Sequence, residues 1–170
     1  MLSVHARDLP ESVSRLQMQL RDSARQLEHA LKDLNEYQAA AMYDNAEPAG
    51  PSGIRVVSWA STSGHDIGYL KMLAHKICER PSTVALLGSS NGESAHVVFE
   101  KSHDVSIDMA KLLREVLPAV DGRGGGTHQI AQGGGRRPEK LPHAISMAAS
   151  MVSKVAVGIE AETAASADRH

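Results

Sequence analysis

The sequence predicts an α/β fold, in which a small mixed β-sheet carries helices mainly on one face and follows a long N-terminal heptad helix. Three observations support this prediction. Apolar residues in alternating steps of three and four indicate one amphipathic helix over residues 11–43. Downstream, β-rich and helical segments follow the order β-α-β-β-α-loop-α, which is typical of an α/β domain. Aromatic residues make up only 3% of the chain, so the core must be aliphatic.

The 170 residues suffice for one ordinary domain plus an appendage. The single cysteine, Cys78, excludes an internal disulfide and a cysteine-based zinc cage, and it fits a reducing compartment. No apolar run is long enough to span a bilayer, and the N-terminus lacks a basic flank followed by an apolar stretch. These features predict a soluble cytoplasmic protein without a membrane partner.

The first helix begins after Pro10, a favoured residue at a helix start. One heptad position is strongly apolar and the other is weaker, while the remaining faces are mostly charged or Gln. This narrow seam either packs on its own domain or pairs with another chain or with a matching helix of a larger protein. For self-association we expect contacts from Val13, Leu16, Leu20, Leu27 and Leu34.

Residues 44–53 contain two prolines and two glycines, which predicts a linker and a domain boundary. The α/β domain is expected over 54–159, preceded by the coiled-coil-like segment 1–43 and followed by a frayed tail, 160–170. Within the domain we predict strands at 54–60, 83–90 and 95–102, helices at 65–80, 104–120 and 137–159, a tight Asn-Gly turn at 91–94, and Ser106 as a helix N-cap.

Apolar stripes on the three domain helices predict which side chains enter the core. The first stripe contains Ile67, Leu70, Leu73, Ala74 and Ile77; the second contains Ile107, Ala110, Leu113 and Leu117; the third contains Leu141, Ile145, Ala148, Met151, Val152 and Val155. Cys78 is expected to be a small buried hydrophobe in the first helix.

Paired-histidine metal motifs and nucleophile motifs are not visible in the sequence. The nine histidines are scattered, and none forms an HxxxH or HExxH pair with a ligand that would complete a metal site. No Ser-His-Asp arrangement is apparent. We therefore predict no metal and no cofactor.

Residues 120–139 hold seven of the fourteen glycines. This segment is not a Walker loop, because no Lys-Ser or Lys-Thr follows and a helix rather than a strand precedes it. One interpretation is a loop whose backbone N–H groups meet phosphate oxygens, with charge added by Arg123, Arg136, Arg137 and Lys140. The alternative is two tight turns flanking a short strand, "THQIAQ". Residues 101–154 carry 8 basic and 5 acidic side chains, a weak indication of an anionic partner.

The stretch "GRGGGTHQIAQGGG", from Gly122 to Gly135, resembles the signature of the C-terminal domain of alanyl-tRNA synthetases, a member of the DHH-associated domain superfamily. That signature is Gly-(Lys/Arg)-Gly-Gly-Gly, four variable residues, then Ala-Gln-(Gly/Ala)-Gly. The strand-turn-strand-helix before the glycines and the heptad helix also resemble the family. The resemblance covers roughly residues 11–155.

This resemblance implies contact with tRNA or another structured RNA, and dimerisation through the helical part. It implies no catalysis, because the aminoacylation domain, the editing zinc ligands and the phosphoesterase Asp-His-His site have no counterpart here. "THQI" departs from the usual basic-Pro-Asp-apolar filling between the glycine clusters, and Thr127 precedes His128 where the related phosphoesterases carry Gly-Gly-Gly-His. The expected RNA-binding residues are Arg123, Gly124, Gly125, Gly126, His128, Gln132, Gly133, Gly134, Gly135, Arg136, Arg137 and Lys140.

Three functions remain open from the sequence. The first is a stand-alone tRNA-binding module that self-associates through its helix. The second is a detached subunit of a split alanyl-tRNA synthetase or editing enzyme, which acts with a catalytic partner. The third is a protein that keeps the fold as a scaffold or small-ligand binder without RNA function.

Overall fold

The computed structural model describes residues 9–49 and 53–167. The described chain divides into two compact units, with the boundary between Tyr37 and Gln38. The helix α1, Leu9–Asp44, crosses this boundary and confirms the predicted N-terminal helix. In the described parts of the chain, no helix is both long and apolar enough to cross a membrane.

The N-terminal unit exposes the predicted heptad seam. Leu16 is 64% exposed, Leu20 is 73% exposed and Leu27 is 62% exposed, and Val13 and Leu34 are exposed as well. Large apolar side chains at this exposure and heptad spacing form a narrow apolar stripe on the helix.

The second unit contains one mixed sheet, which confirms the predicted fold class. Among the described residues it has six strands in the order β1-β2-β3-β4-β6-β5, with β2 and β3 parallel and the other neighbours antiparallel. The strands are β1 Pro48–Ala49, β2 Ile54–Ser61, β3 Thr83–Ser90, β4 Ala95–Lys101, β5 Gly122–Gly126 and β6 Ile130–Gly135. The short β1 lies in the expected linker and pairs with the start of β2.

Helices cover both faces of the sheet, so the prediction of helices mainly on one face is wrong. The helix α2, Ile67–Cys78, packs on one face together with Ala39 from the end of α1. The other face carries α3, Met109–Val116, the 3-10 helix Leu117–Val120, and α4, Leu141–Ala167. We call these the α2 face and the α3–α4 face.

The reason for two covered faces lies in β3, whose eight residues are all buried. Val84 and Leu86 enter the core of the α3–α4 face, while Ala85 and Leu87 enter the core of the α2 face. Successive side chains of a strand point to opposite faces, so a continuous apolar run needs cover on both sides.

The helix α2 and the hairpin between β3 and β4 form as the sequence predicts. Asp66 caps α2 by accepting a hydrogen bond from the Tyr69 N–H at 2.8 Å. Leu70, Leu73, Ala74 and Ile77 are buried, and Cys78 is a buried free thiol. In the hairpin turn, Asn91 Oδ1 accepts hydrogen bonds from the Glu93 and Ser94 N–H groups, and Gly92 has a φ of 90°.

The N-cap of α3 is Asp108, so the assignment of Ser106 is wrong. The Asp108 carboxylate accepts a hydrogen bond from the Lys111 N–H at 3.0 Å, and the helix begins at Met109. The α-helical pattern ends at Val116 and continues as a 3-10 helix, because Pro118 has no N–H to donate back along an α-helix. Ile107, Ala110, Leu113 and Leu117 are buried, as the second stripe predicts.

The helix α4 follows a short 3-10 helix, Pro138–Lys140, and runs to Ala167 rather than to the expected end at 159. Leu141, Ile145, Ala148 and Val152 are buried as predicted, and Met151 is partly buried. Val155 is wrong as a core residue, because it is 45% exposed and Ala156 is fully buried instead. The buried stripe continues four residues after Val152, which keeps it on one side of a helix with 3.6 residues per turn.

Candidate nucleic-acid interface

The glycine-rich segment is a β-hairpin made of β5 and β6. Its turn is built by Thr127, whose N–H donates to the Ile130 carbonyl at 2.7 Å and whose Oγ1 accepts hydrogen bonds from the N–H groups of Gln129 and Ile130. The glycine loop and the alternative of a "THQIAQ" strand between glycine turns are therefore both wrong. The glycines form the strands, and "THQ" forms the turn.

Several of these glycines allow the 3-10 helix Leu117–Val120 to lie directly on the hairpin. A Cβ atom at Gly133 would come within 2.8 Å of Leu117 Cδ2, and one at Gly135 within 2.2 Å of the Val120 carbonyl oxygen. Real Cβ atoms do not approach other atoms this closely, so a side chain at Gly135 would displace backbone, whereas one at Gly133 would first displace the end of the Leu117 side chain. Gly133 and Gly135 are buried there on the α3–α4 face.

The strand β5 is the edge of the sheet, and Arg123 through Gly126 are exposed. Hydrogen-bonded and non-hydrogen-bonded pairs alternate along an antiparallel ladder. Thr127 bonds to Ile130, and alternation from that pair directs the N–H and C=O groups of Gly122, Gly124 and Gly126 away from β6. This edge therefore presents backbone donors on an exposed strand.

The open end of the hairpin borders a pocket of about 510 Å³. It brings together four of the predicted residues: Arg123, Gly134, Gly135 and Arg136. Gly134 lies between Arg123 on β5 and a residue on β4 that the sequence did not single out, His96. The remaining lining residues are Ser94, Ala95 and Asp121.

The His96 ring contributes a polar atom without a partner. Its Nδ1 is buried and has no hydrogen-bond partner in the described chain. A Cβ at Gly134 would lie 3.5 Å from that nitrogen, an ordinary contact distance, and 3.1 Å from the Ala95 carbonyl oxygen, which is tight. A histidine nitrogen accepts or donates a hydrogen bond according to its tautomer.

The charges around the pocket favour an anion. Arg123 and Arg136 are exposed guanidinium groups, and Asp121 is the one carboxylate among the eight lining residues. Asp121 occupies the left-handed region, with a φ of 49°, where the chain turns from the 3-10 helix into β5. Exposed arginines bind phosphate or carboxylate oxygens through paired N–H donors.

The remaining predicted residues are spread along the hairpin and beyond it. His128 lies in the turn at the far end, where its carbonyl accepts a hydrogen bond from the Met109 N–H at 3.2 Å. Gln132 lies in the middle of β6, and its Oε1 is buried without a partner in the described chain. Arg137 and Lys140 are exposed but do not line the pocket.

His96 is the residue of this pocket that sequence reasoning missed. It lies inside the predicted strand 95–102, yet nothing in the sequence reveals that β4 pairs with β6. Only this pairing places His96 opposite Gly134, so the signal is tertiary.

Residues 56–154 match the family model of the DHHA1 domain. The chain belongs to the DHHA1 domain family. This DHHA1 domain is 29% identical over 155 residues to an alanine–tRNA ligase of Halalkalibacterium halodurans, which covers 89% of this chain and 17% of the ligase. It is 25% identical over 158 residues to that of Bacillus subtilis, which covers 91% of this chain and 18% of the ligase. The chain thus spans less than a fifth of the curated relatives it matches.

Two solved structures share the fold of this DHHA1 domain. One is the C-Ala domain of Aquifex aeolicus alanyl-tRNA synthetase, with a TM-score of 0.56 and 24% identity over 65% of this chain and 96% of that domain. The other is RecJ from Thermus thermophilus in complex with Mg²⁺, with a TM-score of 0.56 and 15% identity over 80% of this chain and 19% of RecJ. In the described part of this DHHA1 domain, no three His, Cys, Asp or Glu side chains are grouped so that they could hold a metal ion.

Proposed function

We propose that this DHHA1 domain is a non-catalytic RNA-binding module of the cytoplasm, and that it holds tRNA in particular at the open end of the β5–β6 hairpin. The pocket lined by Arg123, Arg136 and His96 carries this proposal. Its two exposed guanidinium groups stand beside outward-facing backbone N–H groups on an edge strand, which is a suitable surface for phosphates.

The comparisons support tRNA as the first candidate among RNAs. The curated relatives are alanine–tRNA ligases, and the matching C-Ala domain comes from an alanyl-tRNA synthetase. Arg137 and Lys140 lie just after the pocket in the sequence and are exposed, so they extend the positive charge that Arg123 and Arg136 begin. A structured RNA with a folded phosphate surface would meet several of these side chains at once.

Charge reversal tests this function. We expect Arg123→Glu combined with Arg136→Glu to weaken the binding of unmodified tRNA by about tenfold or more at low salt, because two phosphate contacts become repulsive. The affinity of the original chain should fall with added salt, and the slope of log K against log salt should be shallower in the variant. Filter binding or fluorescence anisotropy with labelled tRNA measures both quantities.

Lys154→Glu is the matched control, since Lys154 is an exposed cation on α4, across the sheet from the α2 face. It changes the net charge of the chain in the same direction by half as much, and Lys154 does not line the pocket. Equal weakening by the control would show a nonspecific charge effect and contradict the proposed site. Binding of tRNA no tighter than binding of heparin would contradict the proposed function itself.

The non-catalytic part of the proposal has its own test. The chain is mixed with aminoacylated tRNA, and the loss of the aminoacyl group is followed with time against a buffer control. We expect the two rates to be equal. Hydrolysis above the buffer rate that depends on the intact pocket would contradict a purely binding role.

We also propose that α1 pairs with a second copy of the chain through its exposed apolar stripe. The positions that flank the seam in a heptad are Gln17, Gln19, Ala24, Gln26, Leu31 and Asp33. Because only one of these six is charged, two copies meet little like-charge repulsion along the seam. The other candidate occupant is a helix of a catalytic partner, which would make the chain a detached subunit.

A further inference from the structure

Three rings form a cluster on the α2 face, in a chain with few aromatic residues. The rings of His65 and Tyr69 are stacked, with centroids 4.2 Å apart and an interplanar angle of 15°. The Trp59 ring lies 5.7 Å from the His65 ring. All three side chains are half-buried, so they are ordered by packing and still reach solvent. The one Trp of the chain and one of its three Tyr residues are thus placed on a surface.

Local structure holds these rings in position. The His65 N–H donates a hydrogen bond to Ser89 Oγ at 2.8 Å, which fixes the segment before α2 over the end of β3. Gly64 precedes it with a φ of 69°, and its N–H bonds to the Ser90 carbonyl. The Tyr69 hydroxyl donates to Gln38 Oε1, which fixes the tyrosine ring from its far end.

The strand register places this cluster beside the pocket at the hairpin. Ser89, which binds the His65 N–H, lies opposite His96 on β4. His96 lies opposite Gly134 on β6, and Gly134 lies opposite Arg123 on β5. Partners in register point to the same face of a sheet, so these residues form one row across the α2 face. Three strand spacings separate β3 from β5, a distance of about 14 Å.

The row therefore begins at stacked rings and ends at guanidinium groups. Aromatic rings stack on bases whatever their sequence, and arginine side chains bind the phosphates between them. Bases inside a duplex are already stacked on each other, whereas bases of an unpaired stretch are free to leave the strand and stack on protein. His96, which is half-buried and lines the pocket, lies between the two ends.

From this geometry we infer that the row from Trp59, His65 and Tyr69 to Arg123 binds a short unpaired stretch of RNA, with bases on the rings and phosphates at the pocket. This inference rests on the proposed RNA-binding function and specifies the kind of RNA that the domain prefers. It requires that the protein distinguish unpaired nucleotides from duplex RNA and from a phosphate backbone without bases.

The single tryptophan allows a test without mutation. Hexaadenylate RNA, a hexamer of the same length with abasic riboses, and a blunt twelve-base-pair RNA duplex are each titrated into the full chain. We expect hexaadenylate to quench the Trp59 fluorescence and to bind about tenfold or more tightly than the abasic hexamer or the duplex. Equal affinity for the three probes without quenching would overturn the inference.

Variants separate this inference from the proposed function. His65→Ala should weaken hexaadenylate binding by about tenfold and leave abasic binding unchanged, whereas Tyr37→Ala, at an exposed aromatic on α1, should change neither. Thermal unfolding verifies that both variants are folded. If Arg123→Glu weakens all probes but His65→Ala weakens none, the ring platform is refuted and RNA binding stands. If labelled tRNA binds but hexaadenylate does not, the inference is refuted and the proposed function stands, whereas failure of tRNA and of all three probes to bind would refute both.

Discussion

Gly124 lies opposite Gly133 across the β5–β6 pair, so close that a Cβ atom at Gly124 would come within 2.5 Å of Gly133 Cα. The same Cβ would lie 2.3 Å from the Gln132 carbonyl oxygen. Both obstacles are backbone atoms, which cannot move aside as the end of a side chain can. The next residue, Gly125, has no atom within 4 Å of its Cβ position.

We therefore expect Gly124→Ala to lower the free energy of unfolding by about 2 kcal/mol or more, because β5 must separate from β6 to admit the methyl group. Gly125→Ala should change it by no more than about 0.5 kcal/mol, since its methyl group enters open space on an exposed strand. Urea unfolding at pH 7, followed by circular dichroism, measures both values.

Gly125→Ala is the matched control, one residue away on the same strand, and neither glycine has a positive φ. Equal destabilisation by the two variants would show that flexibility rather than close approach selects glycine here. If the two variants differ in stability but bind tRNA with equal affinity under conditions in which both are folded, the glycines serve the hairpin and make no direct RNA contact.

The buried carboxylate of Glu100 should make the stability of the fold depend on pH. Its side chain is 9% exposed, and Oε1 lies 3.1 Å from His75 Nδ1 while Oε2 has no partner in the described chain. Burial raises the pKa of Glu100, and His75, Lys71 and His103 lower it by less. Between the unfolded and folded pKa values the folded state binds more protons, so stability falls as pH rises through this interval.

We expect Glu100→Gln to remove this penalty. Relative to the original chain, the free energy of unfolding of the variant should rise as the pH goes from 4.5 to 8, by about 1 kcal/mol, because a neutral amide replaces a charge with an unpaired oxygen. Urea unfolding of both proteins at the two pH values measures the difference.

Asp104→Asn supplies a control of opposite sign. Hydrogen bonds from Ser102 and Ser82 lower the pKa of Asp104, so its contribution to stability is present at neutral pH and is lost as the pH falls toward and below its unfolded value. This variant should be less stable than the original chain at neutral pH and approach it in acid. If the difference in free energy of unfolding between Glu100→Gln and the original chain does not change with pH, burial of the Glu100 carboxylate is not the cause.

The sequence predicted the elements whose side chains carry a periodic signal. In α2, Leu70, Leu73 and Ile77 mark one face, and Asp66 and Pro81 lie just outside its two ends, so both the helix and its buried side follow from local rules. The strands β3 and β4 are equally visible, because an apolar run is followed by Asn91-Gly92 and a second apolar run.

The glycine hairpin was hidden for a physical reason. Strands are recognised by alternating side chains, and Gly122–Gly126 has only Arg123 to alternate. Its strand character comes from partners distant in sequence, namely β6 and the 3-10 helix that lies on it. The pocket depends on the same pairing, so its arginines were predictable from charge and motif while His96 was not.

The buried thiol of Cys78 gives a prediction that needs no variant. Burial, and then the charge of Glu100, raise the pKa of the thiol well above its ordinary value, and the residue is 9% exposed. Because the thiolate is the reactive form, native Cys78 should react with a disulfide reagent at pH 8 at least about a hundredfold more slowly than the urea-unfolded chain. The absorbance of the thiol released from the reagent measures the rate at Cys78, the single cysteine of the chain. Comparable rates in the two states would contradict the burial of Cys78.

The exposed stripe on α1 gives the last prediction, which tests the proposed pairing of two copies. Leu20→Glu combined with Leu27→Glu places two carboxylates at the same seam position in successive heptads. In a pair of helices these charges would be desolvated and close to each other. The dissociation constant of the dimer should therefore rise by about a hundredfold or more. Sedimentation equilibrium of the full chain measures the constant.

Gln17→Glu combined with Arg25→Gln is the control, because it alters charge on the same helix without replacing a large apolar residue of the seam. It should leave the dimer nearly intact. If the original chain sediments as a monomer at micromolar concentration, the pairing of two copies is wrong. The alternative is that the chain binds a synthetase-like catalytic protein in stoichiometric amount. If that binding is lost in the Leu20 and Leu27 double variant and kept in the control, the stripe belongs to that partner. The same buried carboxylates would disrupt a helix pair between two different proteins as strongly.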